Sequence, residues 1–147
     1  MKRKILRHAF VILTVAFLLG LVTGASHGAH SPQDRAWLAS HMTGILVALM
    51  MSVVALLWSE LRLGDRAARV LYWATVPANY LNMMLLGILG PALGSSPGVA
   101  APGAPPAPAG VATLVTVGIV VATVSSFTMA GLVLYGLRER QSVAARL

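Results

Sequence analysis

The chain has 147 residues, of which 57% are hydrophobic and only 10% are charged. It contains no cysteine, which excludes disulfides, thiolate metal sites and iron–sulfur clusters. The net charge of +7 does not indicate nucleic-acid binding, because the basic residues stand at the ends of long apolar segments, as membrane orientation signals do. We therefore expect an integral membrane protein that contacts the lipid bilayer and no nucleic acid.

Four apolar segments follow one another along the chain. They cover about residues 5–25, 37–61, 68–93 and 111–137. Each is long enough to cross the hydrocarbon core, which takes roughly 20 helical residues. Helices are expected because they satisfy their own backbone groups in lipid. The sequence therefore predicts an all-α fold, with residues 1–147 forming a single integral membrane domain built as a four-helix transmembrane bundle.

The basic residues predict the orientation of this bundle. Ten of the eleven Lys and Arg residues precede the first segment, separate the second from the third, or follow the fourth. The positive-inside rule then places both the N- and the C-terminus in the cytoplasm, in a multi-pass protein of a bacterial-type inner membrane. A cleaved signal peptide is the less favoured alternative, because the first apolar stretch is longer than the roughly 7–15 residues of a signal-peptide core.

The first segment contains a Gly-x-x-x-Gly motif, "GLVTG", at residues 20–24. This spacing fits close contact between helices, within or between subunits. His8, nearer the N-terminus, is expected close to the membrane interface.

The second segment carries His41 beside a row of small residues. Ser40, Gly44, Ala48 and Ser52 recur every four residues, which places them in one stripe along a helix. Such a stripe lets helices pack closely in lipid, and on spacing alone packing is the favoured interpretation. The stripe could also leave room for a planar haem, with His41 as its axial ligand.

The third segment holds two asparagines, Asn79 and Asn82, three residues apart and therefore on one helix face. They could form an interhelical hydrogen bond or orient a substrate with their amides. Pro77 removes one backbone hydrogen bond and should bend the helix. Tyr80 is a further polar group of this segment.

Other polar groups in the segments are mainly hydroxyls. We expect them to bond the preceding turn or to join helices; they are Thr14, Thr43, Ser52, Thr75, Ser125, Ser126 and Thr128.

The four acidic residues lie at segment ends or in connections, so no carboxylate relay crosses the membrane, which argues against a proton-coupled transporter.

The connection at residues 90–110 holds six of the eight prolines and no charge. It predicts an extended outer loop, and a bare linker is favoured over a binding lid.

From "ASHMTG" to "LNMMLLGILG", about residues 37–90, the sequence resembles the small four-helix membrane isomerases that include hydroxylaminobenzene mutase and styrene oxide isomerase. The first and last segments match that family only in span and hydrophobicity. The resemblance is carried by a His followed by x-x-Gly, a short basic loop, a Tyr-Trp pair and an Asn: His41, Gly44, residues 66–69, Tyr72–Trp73 and Asn82.

The resemblance implies a homotrimer that holds haem b between its subunits, with His41 as the ligand of the iron. Gly44, Ala48 and Tyr80 are then expected beside the cofactor, and Asn82 and Asn79 are candidate catalytic groups. The implied reaction is a redox-neutral rearrangement of a small aromatic substrate, either an aromatic hydroxylamine or an aryl epoxide. The iron would act as a Lewis acid on the substrate oxygen.

Two positions depart from the family pattern. The family usually has an Asn followed by Gly six residues after the histidine, where this chain has Val47 and Ala48. A tyrosine of the epoxide branch corresponds to Leu86. Two alternatives to an isomerase therefore stay open: a non-catalytic haem-binding or haem-sensing membrane protein, and a structural or transporter subunit without a cofactor.

Overall fold

A computed structural model describes residues 1–25, 32–92 and 108–138. These residues form helices and turns and contain no strand, which confirms the predicted all-α fold. In chain order the elements are α1 (Lys2–Ala25), α2 (Pro32–Leu57), α3 (Asp65–Thr75), α4 (Pro77–Asn82), a π-helical segment (Met83–Leu89), α5 (Gly90–Ala92) and α6 (Ala109–Leu137). Most of the predicted outer loop, residues 93–107, lies outside the described residues.

Three of the helices are long and apolar enough to cross a membrane, judged by length and composition. They are α1, the Asp34–Leu57 part of α2, and α6. They correspond to the first, second and fourth predicted segments, and they support the prediction of a helical membrane protein. The second helix ends at Leu57 rather than near residue 61, because the chain turns over residues 58–60.

The third predicted segment differs from the single helix expected over residues 68–93. It consists of α3, α4, the π-helical segment and α5, none of which is long enough to span a membrane alone. The first break falls at Val76, just before Pro77, where the proline ring lacks the N–H that an α-helix needs. Hydrogen bonds bridge this break: the Val76 N–H donates to Tyr72 O at 2.8 Å and the Tyr80 N–H to Val76 O at 3.1 Å. The proline therefore interrupts the helix without ending it, and we call α3 to α5 the third rod.

The helices α1 and α2 form the main packed pair. Ile5, Ala9 and Ile12 recur at helical spacing on α1 and are at most 1% exposed. They share a core cluster with Met51 and Ala55 of α2. In lipid the surrounding tails are as apolar as these side chains, so close packing rather than transfer from water stabilises the contact.

A second core cluster joins α2 to α3 and α6. It consists of Val54 of α2, Leu71 of α3 and Met129 of α6. The outer surface is apolar as well; Leu21 of α1 is 69% exposed and Phe127 of α6 is 77% exposed. Large exposed apolar side chains of this kind suit a surface that faces lipid or another subunit.

One end of the bundle brings together basic residues from three parts of the chain. Ile5 of α1 packs in the same cluster as Ala55, so the start of α1 lies beside the end of α2. The backbone N–H of Arg62 donates to the carbonyl of Gly136 at 2.9 Å, which ties the connection after α2 to the end of α6. The basic N-terminal residues, Arg62 and Arg138 therefore share one end, as the charge pattern predicts.

Candidate functional site

The His41 side chain of α2 lies against α1. Its Nδ1 atom is 2.7 Å from the carbonyl oxygen of Ala16. One turn further along α1, Gly20 leaves the space that the imidazole ring occupies, since a Cβ atom at Gly20 would stand 2.7 Å from Cε1 of His41. The predicted Gly-x-x-x-Gly contact therefore holds at Gly20, whereas a Cβ at Gly24 would meet no described atom within 4 Å.

The hydrogen bond to Ala16 decides which nitrogen of His41 carries the proton. A backbone carbonyl oxygen can only accept, so Nδ1–H must be the donor. In the neutral imidazole, Nε2 then keeps its lone pair. Metal-binding histidines commonly use this arrangement, in which one ring nitrogen donates to a backbone carbonyl and the other is free to act as a ligand.

The row of small residues beside His41 is filled by neighbouring helices. A Cβ atom at Gly44 would stand 2.7 Å from Cβ of Ala16 and 3.1 Å from Cε of Met83. Ala48 is 2% exposed and belongs to the core cluster between α1 and α2. Within the chain, Gly44 and Ala48 therefore serve close helix packing. The space beside them, which the stripe of small residues could have left for a planar haem, is occupied by α1.

A partly open cavity of about 270 Å³ lies where α2 meets the third rod and α6. It is lined by Ala39, Ser40, Thr43, Val47, Asn79, Asn82, Met83, Leu86, Gly87, Ile119, Ala122 and Thr123. Its size is close to the lower end of the range of small-molecule sites, roughly 300–1,000 Å³. The walls are mainly apolar, and their polar groups are hydroxyls and amides without a charge.

Asn79 and Asn82 line this cavity together, in agreement with their shared face. The Asn79 Nδ2 atom donates to the Thr75 carbonyl at 2.6 Å. Asn82 differs, because its Oδ1 atom is buried and has no hydrogen-bond partner among the described residues. An unsatisfied buried acceptor costs on the order of 1–3 kcal/mol, so a cavity occupant that donates to Asn82 would remove this cost.

Val47 and Leu86, the two positions that depart from the family pattern, line the same cavity as Asn79 and Asn82. Both positions therefore place an apolar side chain on the cavity wall. The amides of the third rod are the cavity's main polar groups, together with the hydroxyls of Ser40, Thr43 and Thr123.

Irregular backbone flanks the two asparagines on the third rod. Pro77 begins α4, and the π-helical segment starts at Met83, directly after Asn82. Wider π-helical turns are frequent at functional sites, because they rotate the following side chains out of α-helical register. The sequence predicts the interruption at Pro77, but the π-helical segment has no proline or polar residue that signals it.

Two candidate site residues lie elsewhere. Tyr80 points away from the cavity lining, and its hydroxyl is 3.1 Å from Nδ1 of His8 on α1. His41 is likewise not part of the cavity lining. The structure thus joins Asn79 with Asn82 in one cavity, Tyr80 with His8, and His41 with Ala16 and Gly20. It also shows that half-buried His8 has a specific partner, which the sequence position of His8 did not reveal.

Metal ligands supplied by the protein alone are scarce in the described ranges. No group of three His, Cys, Asp or Glu side chains converges there. A metal held by His41 would therefore have to bring its other ligands with it, as the iron of a haem does.

Three of the seven hydroxyl groups singled out in the sequence bond the preceding turn as expected. Thr14, Ser52 and Thr128 each donate to the carbonyl four residues earlier. Thr75 differs, because it is completely buried and its Oγ1 has no partner in the described part of the chain.

A comparison with protein-family models relates this geometry to known proteins. The model described as styrene oxide isomerase matches residues 1–138, which covers all four helical regions and the cavity. No curated protein and no solved structure gives a significant match to the chain. Because the family model matches nearly the full length, the chain belongs to the styrene oxide isomerase family.

Proposed function

We propose that this protein is a haem b-dependent membrane isomerase that catalyses a redox-neutral rearrangement of a small aromatic substrate. The observation that carries the proposal is the cavity formed by α2, the third rod and α6, whose walls are apolar apart from uncharged amides and hydroxyls. Family membership favours an aryl epoxide as substrate. An aromatic hydroxylamine is the second substrate class, because it rearranges by the same kind of chemistry.

The cavity composition suits such a reaction. When the C–O bond of an aryl epoxide breaks, the aromatic ring stabilises the positive charge on the adjacent carbon. A hydrogen then migrates from the neighbouring carbon, and the carbonyl product has the same atoms as the substrate. No water, external acid or redox partner enters the balance, so a cavity whose lining carries no carboxylate is compatible with the reaction.

The environment of His41 fits an axial haem ligand. The Nδ1–H group is fixed by the carbonyl of Ala16, which leaves the Nε2 lone pair for iron. Gly20 provides the space that this ring orientation needs. When bound, haem iron would supply a Lewis acid for the substrate oxygen.

The chain's own residues would position the substrate. Asn82 lines the cavity, and its Nδ2 group is the donor that could bind an oxygen substituent of the substrate. Its buried Oδ1 atom, which has no partner among the described residues, can only accept, for example from the N–H or O–H of an aromatic hydroxylamine. Val47 and Leu86 would contact the aromatic ring from opposite walls. These contacts would hold the breaking bond in one orientation and exclude water, which limits hydrolysis of the charged species.

A homotrimer would reconcile the separate positions of His41 and the cavity. His41 does not line the cavity of its own chain. A haem held by His41 at a subunit boundary could instead face the cavity of a neighbouring subunit. The large exposed apolar side chains of α2, such as Met42 and Leu46, offer surface for such a boundary.

Product analysis tests this proposal directly. The detergent-purified protein is incubated separately with styrene oxide and with phenylhydroxylamine, and the products are identified by chromatography. We expect phenylacetaldehyde from the first substrate or an aminophenol from the second, with loss of turnover in His41→Ala. If neither isomer forms in a preparation that contains haem, the isomerase proposal is wrong.

A second candidate function is a non-catalytic haem-binding or haem-sensing protein. The specific observation in its favour is that Val47 and Leu86, where the resemblance implies an Asn and a Tyr, place apolar side chains on the cavity wall. This function predicts bound haem without turnover of either substrate. Val47→Asn tests this second function if the wild-type protein binds haem but turns over neither substrate. A gain of turnover in Val47→Asn would mean that the cavity lacked only this polar group and that the fold is that of an isomerase. Continued absence of turnover would favour the non-catalytic function.

A further inference from the structure

His8 and Tyr80 form a polar contact between α1 and α4 inside an otherwise apolar part of the bundle. Their Nδ1 and hydroxyl oxygen atoms are 3.1 Å apart, and the two rings meet edge to face with centroids separated by 5.5 Å. The neighbours of His8 on the same face of α1, Ile5 and Ile12, are completely or almost completely buried. An apolar side chain would satisfy the packing here, so the polar pair calls for another explanation.

The second observation is the short length of α4. This helix has six residues, Pro77–Asn82, and irregular backbone lies on both sides: the break at Val76 and the π-helical segment from Met83. A helix of this kind can rotate about its axis more easily than the middle of a long α-helix, because the hydrogen-bond ladder is weakened at both ends.

The rotation of α4 determines where its polar side chains point. Successive residues of an α-helix differ by about 100°, so Tyr80 lies about 160° around the helix from Asn82. When Tyr80 is held against α1, Asn82 faces the cavity on the opposite side. Among the described residues, the His8–Tyr80 bond is the one side-chain hydrogen bond between α4 and another of the long helices; Asn79 bonds back to Thr75 within the third rod.

We propose that His8 and Tyr80 are positioning residues, whose contact sets the rotation of α4 and thereby directs Asn82 into the cavity. This inference rests on the proposed function only for its catalytic consequence. The rotation itself can be measured in the absence of any turnover.

The chain contains no cysteine, so one introduced thiol gives a unique reporter in the full-length protein. We would place it at Asn82→Cys and measure the rate of reaction with N-ethylmaleimide. A second reporter, Thr123→Cys, lies across the cavity on α6 and does not depend on the rotation of α4. Each reporter is combined with Tyr80→Phe, with His8→Phe and with both substitutions.

We expect Tyr80→Phe and His8→Phe each to slow labelling at position 82 by roughly three- to fivefold, the effect of losing one hydrogen bond in a helix bundle. The double variant should be no slower than either single variant, because both remove the same contact. Labelling at position 123 should stay within twofold. His8→Gln, which can still accept from the Tyr80 hydroxyl, should restore most of the rate.

Tyr72→Phe is the matched control, since Tyr72 is also a half-buried tyrosine of the third rod but has no side-chain hydrogen bond among the described residues. Unchanged labelling at position 82, equal changes at positions 82 and 123, or an equal effect of Tyr72→Phe would overturn the positioning role. If the labelling pattern is as expected and the protein with all its natural residues isomerises neither substrate, the proposed function fails while the positioning role stands. In an active protein, Tyr80→Phe should lower kcat more than it changes KM.

Discussion

The imidazole ring of His41 occupies the space left by the missing side chain of Gly20. The Nδ1–H group of that ring donates to the carbonyl of Ala16, one turn earlier on α1. The same three residues therefore form a helix contact and orient the ring of a candidate ligand.

Gly20→Ala tests this relationship. The new Cβ atom would stand 2.7 Å from Cε1 of His41, so the ring must move and its bond to Ala16 must weaken. We expect a loss of about 1–3 kcal/mol of stability, as for other overpacked contacts, and a lower haem content after purification. The control is Gly24→Ala, where a Cβ meets no described atom within 4 Å. Equal behaviour of the two variants in thermal unfolding and haem content would contradict the contact.

Gly44→Ala tests the close packing of α1 and α2. Its Cβ atom would approach Cβ of Ala16 to 2.7 Å, and we expect a destabilisation of about 1–3 kcal/mol in denaturant titration. The second substitution Ala16→Gly should recover much of this loss, because it removes the atom that is contacted. Gly131→Ala on α6 serves as the control, since a Cβ there has open space. Additive effects of Gly44→Ala and Ala16→Gly would show that the two positions do not touch.

Thr75→Val removes a buried hydroxyl that has no partner among the described residues and keeps the shape of the side chain. The backbone carbonyl that accepts from Asn79 is unaffected. We expect a gain of about 1 kcal/mol in the free energy of unfolding, because the cost of burying the unpaired hydroxyl disappears. Thr14→Val, at an exposed position, should change stability by less than about 0.5 kcal/mol. A clear destabilisation by Thr75→Val would mean that the hydroxyl has a partner, such as a buried water.

Asn82→Leu separates stability from activity. The buried Oδ1 atom has no partner in the described part of the chain, so its removal should leave the unfolding free energy unchanged or raise it by about 1 kcal/mol. Turnover should fall at least tenfold if the amide orients the substrate. Asn79→Leu should instead lower stability by about 1 kcal/mol, because it removes the bond to Thr75. Parallel loss of stability and activity in Asn82→Leu would indicate a structural role.

Much of the architecture follows from the sequence because lipid allows few solutions. Apolar segments of sufficient length must be helical, and the three long helices lie where their hydropathy predicts them. Pro77 also predicts the break in the third rod at Val76. The π-helical segment has no such signal, since its sequence, Met83–Leu89, holds no proline or polar residue that would mark a change of helix type.

The site was predictable only in part. The spacing of Asn79 and Asn82 was enough to place them on one face, and they do share a cavity. Helical spacing cannot tell which neighbour covers a face, so it left open whether Gly44 and Ala48 flank a cofactor or pack against α1. The His8–Tyr80 pair joins residues 72 positions apart, a contact that no local pattern reveals.

The absorption spectrum of the purified protein tests the central claim most directly. We expect a Soret band in the wild-type protein and its loss or marked shift in His41→Ala, because Nε2 of His41 is the proposed iron ligand. His8→Ala, which changes the other described histidine within the helices, should leave the position of the band unchanged. A wild-type protein without a Soret band after haem supplementation, or a band that His41→Ala does not alter, would contradict the assignment of His41 as the haem ligand.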